Sequence, residues 1–187
     1  MKKMMMLLLI PAVLLTFGSA AYALPVISGT IAFDGGTVNL TGGSNLNTNT
    51  GFHFTSTGSV VADTGAYGGV PVGGASPAVT FFDFTFAPLF VPAAPGWSFV
   101  SGGNTYTFDF SSGSVSFRNT HILVLEGNGV AHITGFADTP GVWNLTANEF
   151  GNTLSFSSGA SVPEPGYITL LGIALAAFSL LAWRFRA

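Results

Sequence analysis

The chain has no cysteine among its 187 residues, and only 7% of its residues are charged. The absence of cysteine excludes a disulfide framework, a thiol nucleophile and a thiolate metal site. Lysine occurs only at Lys2 and Lys3, so the rest of the chain has no amine for Schiff-base chemistry. Any folded part must therefore be stabilised by buried apolar surface, for which 18 phenylalanines provide ample area.

The few charges are unevenly distributed along the chain. Four of the five basic residues lie near the two ends, which leaves Arg118 as the only one between residues 24 and 161. Seven acidic residues in the same stretch give it a net charge of −6. Because such a surface repels phosphate backbones, we exclude nucleic acid as a partner.

The first 23 residues have the three parts of an export signal. Lys2-Lys3 precedes an apolar run over residues 4–17, and Ala21 and Ala23 supply the small residues that signal peptidase recognises. We therefore predict a cleaved signal peptide, with the mature chain beginning near Leu24. A lipid anchor is excluded, because no cysteine follows the cleavage site.

The last 26 residues have a different pattern. Val162 and Pro163-Glu164-Pro165 precede an uncharged apolar run over 166–183, and Arg184 and Arg186 follow it in the basic end, 184–187. As a helix, that run reaches roughly 27 Å at about 1.5 Å per residue, enough to cross a hydrocarbon core. Arginines that flank a span stay on the cytoplasmic side of the membrane. We predict a single C-terminal transmembrane helix over 166–183.

These C-terminal features together resemble the PEP-CTERM sorting signal of Gram-negative bacteria. The resemblance covers residues 162–187 and rests on Pro163-Glu164-Pro165, on Leu170-Leu171-Gly172 inside the apolar run, and on the arginines behind it. It implies transient anchoring in the inner membrane and cleavage near the motif by exosortase, a membrane-embedded cysteine protease. It also implies release to the cell surface or the exopolysaccharide matrix. A plain C-terminal membrane anchor is the alternative.

Residues 24–161 have the size of one domain, and apolar and polar residues alternate along them. The clearest case is the segment 79–86, where Phe82, Phe84 and Phe86 fall on one face of a predicted strand and Asp83 on the other. About ten such strands, with turns every 8–12 residues, predict an all-β fold, an antiparallel β-sandwich or jelly roll.

A first glycine-rich turn predicts a hairpin with a defined register. If Gly102-Gly103 is a two-residue turn, Phe99 faces Tyr106 and Trp97 faces Phe108. All four aromatic side chains then lie on one face of the hairpin, so that turn and apolar pattern agree.

A second turn, at Ser112-Gly113, predicts that the chain continues as a meander as far as Arg118. It pairs Phe110 with Val115 and places Arg118 diagonal to Asp109. We therefore predict an ion pair between the only cation of the domain and that aspartate.

Three more turns follow from glycine and proline. Asp34-Gly35-Gly36 predicts a hairpin, and Asp138–Gly141 predicts a proline-led turn. Gly127-Asn128-Gly129 predicts a turn after 122–125, a run that is apolar on both faces and therefore favours a covered central strand. Loops are predicted over 45–51 and 70–77.

Catalytic motifs are missing from the sequence. It contains neither a G-x-S-x-G nucleophile elbow nor a Walker loop, so we predict no enzymatic activity. Its three histidines lack metal-binding spacings. Calcium is the one cofactor that we keep as a candidate, because oxygen ligands suffice for it. The candidate ligands are Asp34, Asp63 and Asp138.

The sequence as a whole therefore predicts an exported, non-enzymatic protein of the cell surface or extracellular matrix. Its expected partners are signal peptidase and exosortase during processing, the inner membrane transiently, and exopolysaccharide in the biofilm. The alternative is a membrane-anchored carbohydrate-binding module, calcium-dependent or not, with Tyr67 and Trp143 as exposed aromatic platforms. A surface hydrolase would require a Ser-His-Asp triad in the folded domain.

Overall fold

The structure, a computed structural model, describes residues 24–148 and the backbone of 154–160. The predicted signal peptide, the sorting motif and the apolar run 166–183 lie outside the described residues. Within those residues no helix is both long and apolar enough to cross a membrane. The strands are β1 (Gly29–Gly35), β2 (Val38–Thr41), β3 (Gly51–Phe54), β4 (Gly58–Asp63), β5 (Ala78–Phe81), β6 (Phe84–Thr85), β7 (Ala93–Ser101), β8 (Asn104–Phe110), β9 (Ser114–Arg118), β10 (Ile122–Ile133), β11 (Thr139–Asn148) and β12 (Leu154–Ala160).

The strands form one large and one small sheet. The large sheet has nine strands in the order β11-β12-β1-β4-β5-β7-β8-β10-β9, and β10 also pairs with β11. The eight strands from β11 to β10 in this order therefore form a closed ring of paired strands, and β9 is an additional strand that pairs with β10. The small sheet has the order β2-β3-β6. Strands on opposite sides of the curled sheet face each other across one core, a sandwich-like arrangement, and the predicted all-β antiparallel fold is confirmed.

The first and last strands of the domain are neighbours. β1 pairs antiparallel with β12, so that Gly29 lies opposite Ala160 and Phe33 opposite Phe156. β12 pairs on its other side with β11. The two ends of the domain, to which the segments 1–23 and 161–187 are joined, consequently lie side by side.

Aromatic residues dominate the core, as the composition predicts. Trp97 is fully buried beside Phe108, with ring centroids 6.0 Å apart, and Phe99 stacks on Tyr106 at 4.7 Å. The strand register pairs the same residues, so the predicted hairpin around Gly102-Gly103 is confirmed. Each stacked pair contributes about 0.5–1.5 kcal/mol beyond its buried area.

The predicted single strand over 79–86 is wrong. The chain leaves the large sheet after Phe81, at the end of β5, and enters the small sheet at Phe84, in β6. The two residues between them shift the alternation, so Phe81 is buried at 7% exposure whereas Phe82 is exposed at 38%. Change of sheet, rather than one flat strand, explains why four phenylalanines lie so close together in the sequence.

The predicted turn at Ser112-Gly113 does not form a hairpin, and the predicted ion pair is wrong. β9 pairs with β10 rather than with β8, and Arg118 lies opposite Leu123. Asp109 lies opposite Val130, seven residues further along β10, which separates the two register positions by roughly 23 Å. Arg118 donates instead from Nη2 to the carbonyl oxygen of Asn49, at 3.0 Å.

The other three predicted turns are wrong as well. Gly127-Asn128-Gly129 lies inside β10, and residues 139–141 belong to β11. The chain turns between these strands at Thr134-Gly135, where Gly135 has a φ of +84°. The strands around Asp34-Gly35-Gly36 do not pair with each other, because β1 stays in the large sheet and β2 joins the small one.

The run 122–125 is central in its sheet but not fully covered on both faces. It pairs with β9 on one side and β11 on the other. Leu123 and Leu125 are fully buried, whereas Ile122 on the opposite face is 39% exposed. The loop regions predicted over 45–51 and 70–77 are confirmed apart from a single helical turn at Gly73–Ala75 and the first residue of β3.

Candidate functional site

The change of sheet opens a groove between the small sheet and the start of β7. Its volume is about 640 Å³. That volume lies within the usual range for small-molecule sites, roughly 300–1,000 Å³. β3 and β6 supply one wall, and the segment 91–95 supplies the other. The lining residues are Thr41, Phe52, His53, Phe82, Asp83, Phe84, Thr85, Val91, Pro92, Ala93, Ala94 and Pro95.

A histidine–aspartate pair provides the ionisable side chains of this groove. Asp83 Oδ2 lies 2.5 Å from His53 Nδ1, and Asp83 Oδ1 accepts a hydrogen bond from the backbone amide of Phe54 at 2.8 Å. The pair is accessible, since the side chains of His53 and Asp83 are 53% and 55% exposed. The sequence position of Asp83, between the two sheets, is what brings it against β3.

The carboxyl group of Asp83 is held in its ionised form. Partial desolvation by itself raises its pKa, but the hydrogen bonds from His53 and the Phe54 amide, together with the charge attraction of His53, outweigh it. The pKa of Asp83 consequently lies below its ordinary value. An ionised carboxylate has no proton to give, so His53 Nδ1 donates to Asp83 and Nε2 is the ring nitrogen left for a ligand.

Apolar side chains form the rest of the groove. Phe84, at 5% exposure, belongs to the core below the groove, and its ring packs on Trp143 with centroids 6.0 Å apart. Phe82 and Val91 are 38% and 55% exposed and supply accessible apolar surface. The groove thus combines exposed apolar walls with a small polar group at one side.

A second histidine, His132, lies between two carboxylates near the C-terminal end of β10. His132 Nδ1 is 2.7 Å from Asp138 Oδ1, and Nε2 is 3.3 Å from Asp109 Oδ2. Because the carboxylates face opposite ring nitrogens, one metal ion cannot contact all three groups through His132. This cluster ties β8 and β10 to the segment that leads into β11.

The calcium ligands predicted from sequence are not brought together. Asp34 lies in β1 opposite Ser59, and Asp63 lies at the end of β4 opposite Ile31. Asp138 contacts His132 on another part of the sheet. Among the described residues, no group of three or more histidine or acidic side chains is arranged to hold a metal ion.

The aromatic platforms predicted for sugar stacking are buried. Tyr67 is 1% exposed and Trp143 is 2% exposed, so neither offers a free ring face. The indole Nε1 of Trp143 donates to the carbonyl oxygens of Ser112 and Asn128, at 3.0 and 3.2 Å. A cleft of about 450 Å³ lies beside this point, but the hydrogen bonds of Trp143 there link two backbone segments of the fold.

The groove at Asp83 was not predicted from the sequence. The sign of it in the sequence is Asp83 within a phenylalanine-rich run. The alternation in that run predicts that Asp83 lies on the outward face of a single strand. Recognising the pair requires knowledge that β3 approaches this segment from thirty residues upstream. The predicted processing residues Ala21 and Ala23 and the whole segment 162–187 lie outside the described residues.

A scan against protein-family models, a search of curated proteins and a search of solved structures each found no match to this chain.

Proposed function

We propose that this protein is exported across the inner membrane, held there by its C-terminal apolar run, cleaved near Pro163-Glu164-Pro165 by exosortase, and delivered to the cell surface or exopolysaccharide matrix. Its β-domain, of the sandwich or jelly-roll class, is then the working part of the mature protein, and it acts by binding rather than by catalysis.

The distribution of charge is the observation that carries this proposal. Basic residues flank the two apolar end segments, whereas the domain between them has Arg118 as its only cation. Such a division is expected of a chain whose ends contact a membrane and whose middle does not. A cysteine-free domain stabilised by aromatic packing also suits export, since it needs no oxidation step to fold.

Intact-mass measurement of the mature protein tests the proposal, because one spectrum reports both cleavage sites. In a host that carries exosortase, we expect a mass that lacks residues 1–23 and the apolar run 166–183. Glu164→Ala, or deletion of 166–187, should change this processing. Glu126→Ala, which removes an acidic residue from the domain, is the matched control and should mature normally. Recovery of secreted protein that still contains Trp183 contradicts the proposal.

Glycan binding by the domain is the second candidate, and the groove beside Asp83 favours it. The groove combines exposed apolar surface with an ionised carboxylate and a histidine, which suits a ligand with both hydroxyl groups and an apolar face. Retention of the mature protein on the host's own exopolysaccharide, and its loss after Asp83→Asn, is the expected result. Equal retention with and without calcium would remove calcium from this candidate.

A further inference from the structure

We propose that the groove between β3, the segment 82–85 and the segment 91–95 binds a neutral saccharide. In this arrangement Asp83 and His53 accept hydrogen bonds from adjacent hydroxyl groups, and Phe82 packs against the C–H face of the sugar ring. This inference rests on the second candidate function, glycan binding, and assigns that function to one site and one ligand chemistry.

The polar side of the groove offers acceptors, which selects a ligand rich in donors. Each carboxylate oxygen of Asp83 takes one hydrogen bond from the protein, from His53 or from the Phe54 amide, and retains a further lone pair. His53 Nε2 is a third acceptor when the ring is neutral. Hydroxyl groups on adjacent carbons of a sugar place two donors at the spacing of one carboxylate, so a saccharide satisfies this set.

The apolar side of the groove suits the other face of the same ligand. Phe82 exposes 38% of its surface and Val91 exposes 55%. Pro92 and Pro95 continue this wall. Proline and phenylalanine keep their shape on binding, since they lose little conformational freedom, and the C–H groups of a sugar ring pack on such surfaces.

The negative charge of the domain excludes an acidic saccharide as the ligand. No lysine or arginine is found among the described residues that line the groove, and the domain around it has a net charge of −6. An acidic saccharide would therefore be repelled at the approach and left unpaired at the site. A cationic amine is the competing ligand, because Asp83 carries a negative charge, and a choline probe distinguishes it from a saccharide.

Ligand-observed saturation-transfer NMR on the full chain, held in a detergent without sugar head groups, tests the assignment. The neutral probes are maltohexaose, cellohexaose and mannohexaose, and the charged probes are choline and hexagalacturonate. We expect at least one neutral probe to show contact through its C–H protons. Its dissociation constant should rise about tenfold for Asp83→Asn and for Phe82→Ala, because each change removes one side of the site.

Two matched variants separate a site effect from a general one. Asp138→Asn removes the carboxylate of the other close histidine–aspartate pair, and Phe117→Ala removes a phenylalanine that is 53% exposed on β9. Neither should change saccharide binding. Phe82→Ala has little cost for folding because its side chain is exposed, and thermal melting of each variant identifies any that fails to fold.

The outcomes distinguish the site from the function. Saccharide binding that survives both groove variants overturns the assignment to this groove, while glycan binding itself stands. Contact by choline alone overturns the ligand chemistry. If none of the neutral hexasaccharides makes contact and the host exopolysaccharide is not retained either, both the site and the glycan-binding function are overturned. Loss of binding in the groove variants and its persistence in the two controls support the proposal.

Discussion

At the scale of single residues, the environment of Asp83 differs from what its sequence position indicates. Its phenylalanine neighbours predict the outward face of a strand, but the chain passes from one sheet to the other at this point. The carboxylate thereby receives donors from β3, whose register against β6 is set by residues far away in the sequence. The sequence identifies Asp83 as a polar residue, but its partners His53 and Phe54 are brought to it only by strand pairing across about thirty residues.

The lowered pKa of Asp83 predicts a pH dependence of stability with a defined sign. A carboxyl group whose folded-state pKa lies below its unfolded value, about 3.9, stabilises the folded state above that pH, and the stabilisation is lost as the pH falls through the folded-state pKa. Because the pair is more than half exposed, we expect less than about 1 kcal/mol. Urea unfolding from pH 5 to pH 2.5 should show this loss in the parent protein.

Asp83→Asn and His53→Gln each remove the pair and should reduce that acid-induced loss. The double variant should behave like Asp83→Asn alone, since neither has the carboxylate, whereas His53→Gln keeps the hydrogen bond from the Phe54 amide. A parent protein and an Asp83→Asn variant with equal loss across this pH range would show that the pair does not stabilise the fold.

Glycine at position 127 illustrates a second difference between pattern and structure. The sequence Gly127-Asn128-Gly129 predicts a turn, but it lies in the middle of β10, where a Cβ at position 127 would overlap the Ser112 carbonyl oxygen and approach the Trp143 ring. We expect Gly127→Ala to destabilise the protein by about 1–3 kcal/mol, because the backbone itself must shift. Gly74→Ala, where a Cβ meets open space, is the matched control. Equal denaturation midpoints for the two variants would contradict the close approach.

At the scale of elements, local signals predicted one hairpin correctly and failed where the chain changes partner. The turn at Gly102-Gly103 is predictable because the turn residues and the aromatic pattern independently require the same register. The turn at Ser112-Gly113 has similar residues, but β8 pairs with β7 on one edge and β10 on the other, so β9 pairs with β10 instead. Alternation alone cannot distinguish these choices, since it determines the face of a residue and not the neighbouring strand.

The interrupted strand between β5 and β6 gives a direct test at this scale. The structure buries Phe81 and exposes Phe82, whereas an uninterrupted strand would bury Phe82 with Phe84 and expose Phe81. We expect Phe81→Ala to lower the free energy of unfolding by about 3–5 kcal/mol. Phe82→Ala should change it by only about 0.5 kcal/mol. Chemical denaturation of the two variants measures the difference, and the reverse order would restore the single strand.

At the scale of the whole molecule, β12 closes the large sheet. It pairs with β1 on one side and β11 on the other, so its removal leaves two long strands with unpaired edges. A chain that ends at residue 149 should aggregate or unfold without cooperativity, whereas one that ends at residue 161 should show a single cooperative transition. Calorimetry and size-exclusion chromatography measure both properties. A cooperative monomer from the shorter chain would show that closure is not required.

The all-β class and the presence of one aromatic core could be predicted from composition and alternation, because those properties depend on local pattern. Ring closure could not, since nothing in the sequences of β1 and β12 identifies them as partners. The groove could not be predicted for the same reason, because it forms only where the chain passes from the large sheet to the small sheet.

The adjacency of the first and last strands also affects when folding can finish. Contacts between Gly29 and Ala160 join opposite ends of the domain, and such non-local contacts form late and slowly. If the protein is exported amino terminus first, as proposed, its domain can complete the large sheet only after the final strand has passed through the translocation channel. In that case the proposed membrane-held apolar run, which follows β12 in the sequence, would keep the chain at the membrane while this last strand pairs with β1 and β11.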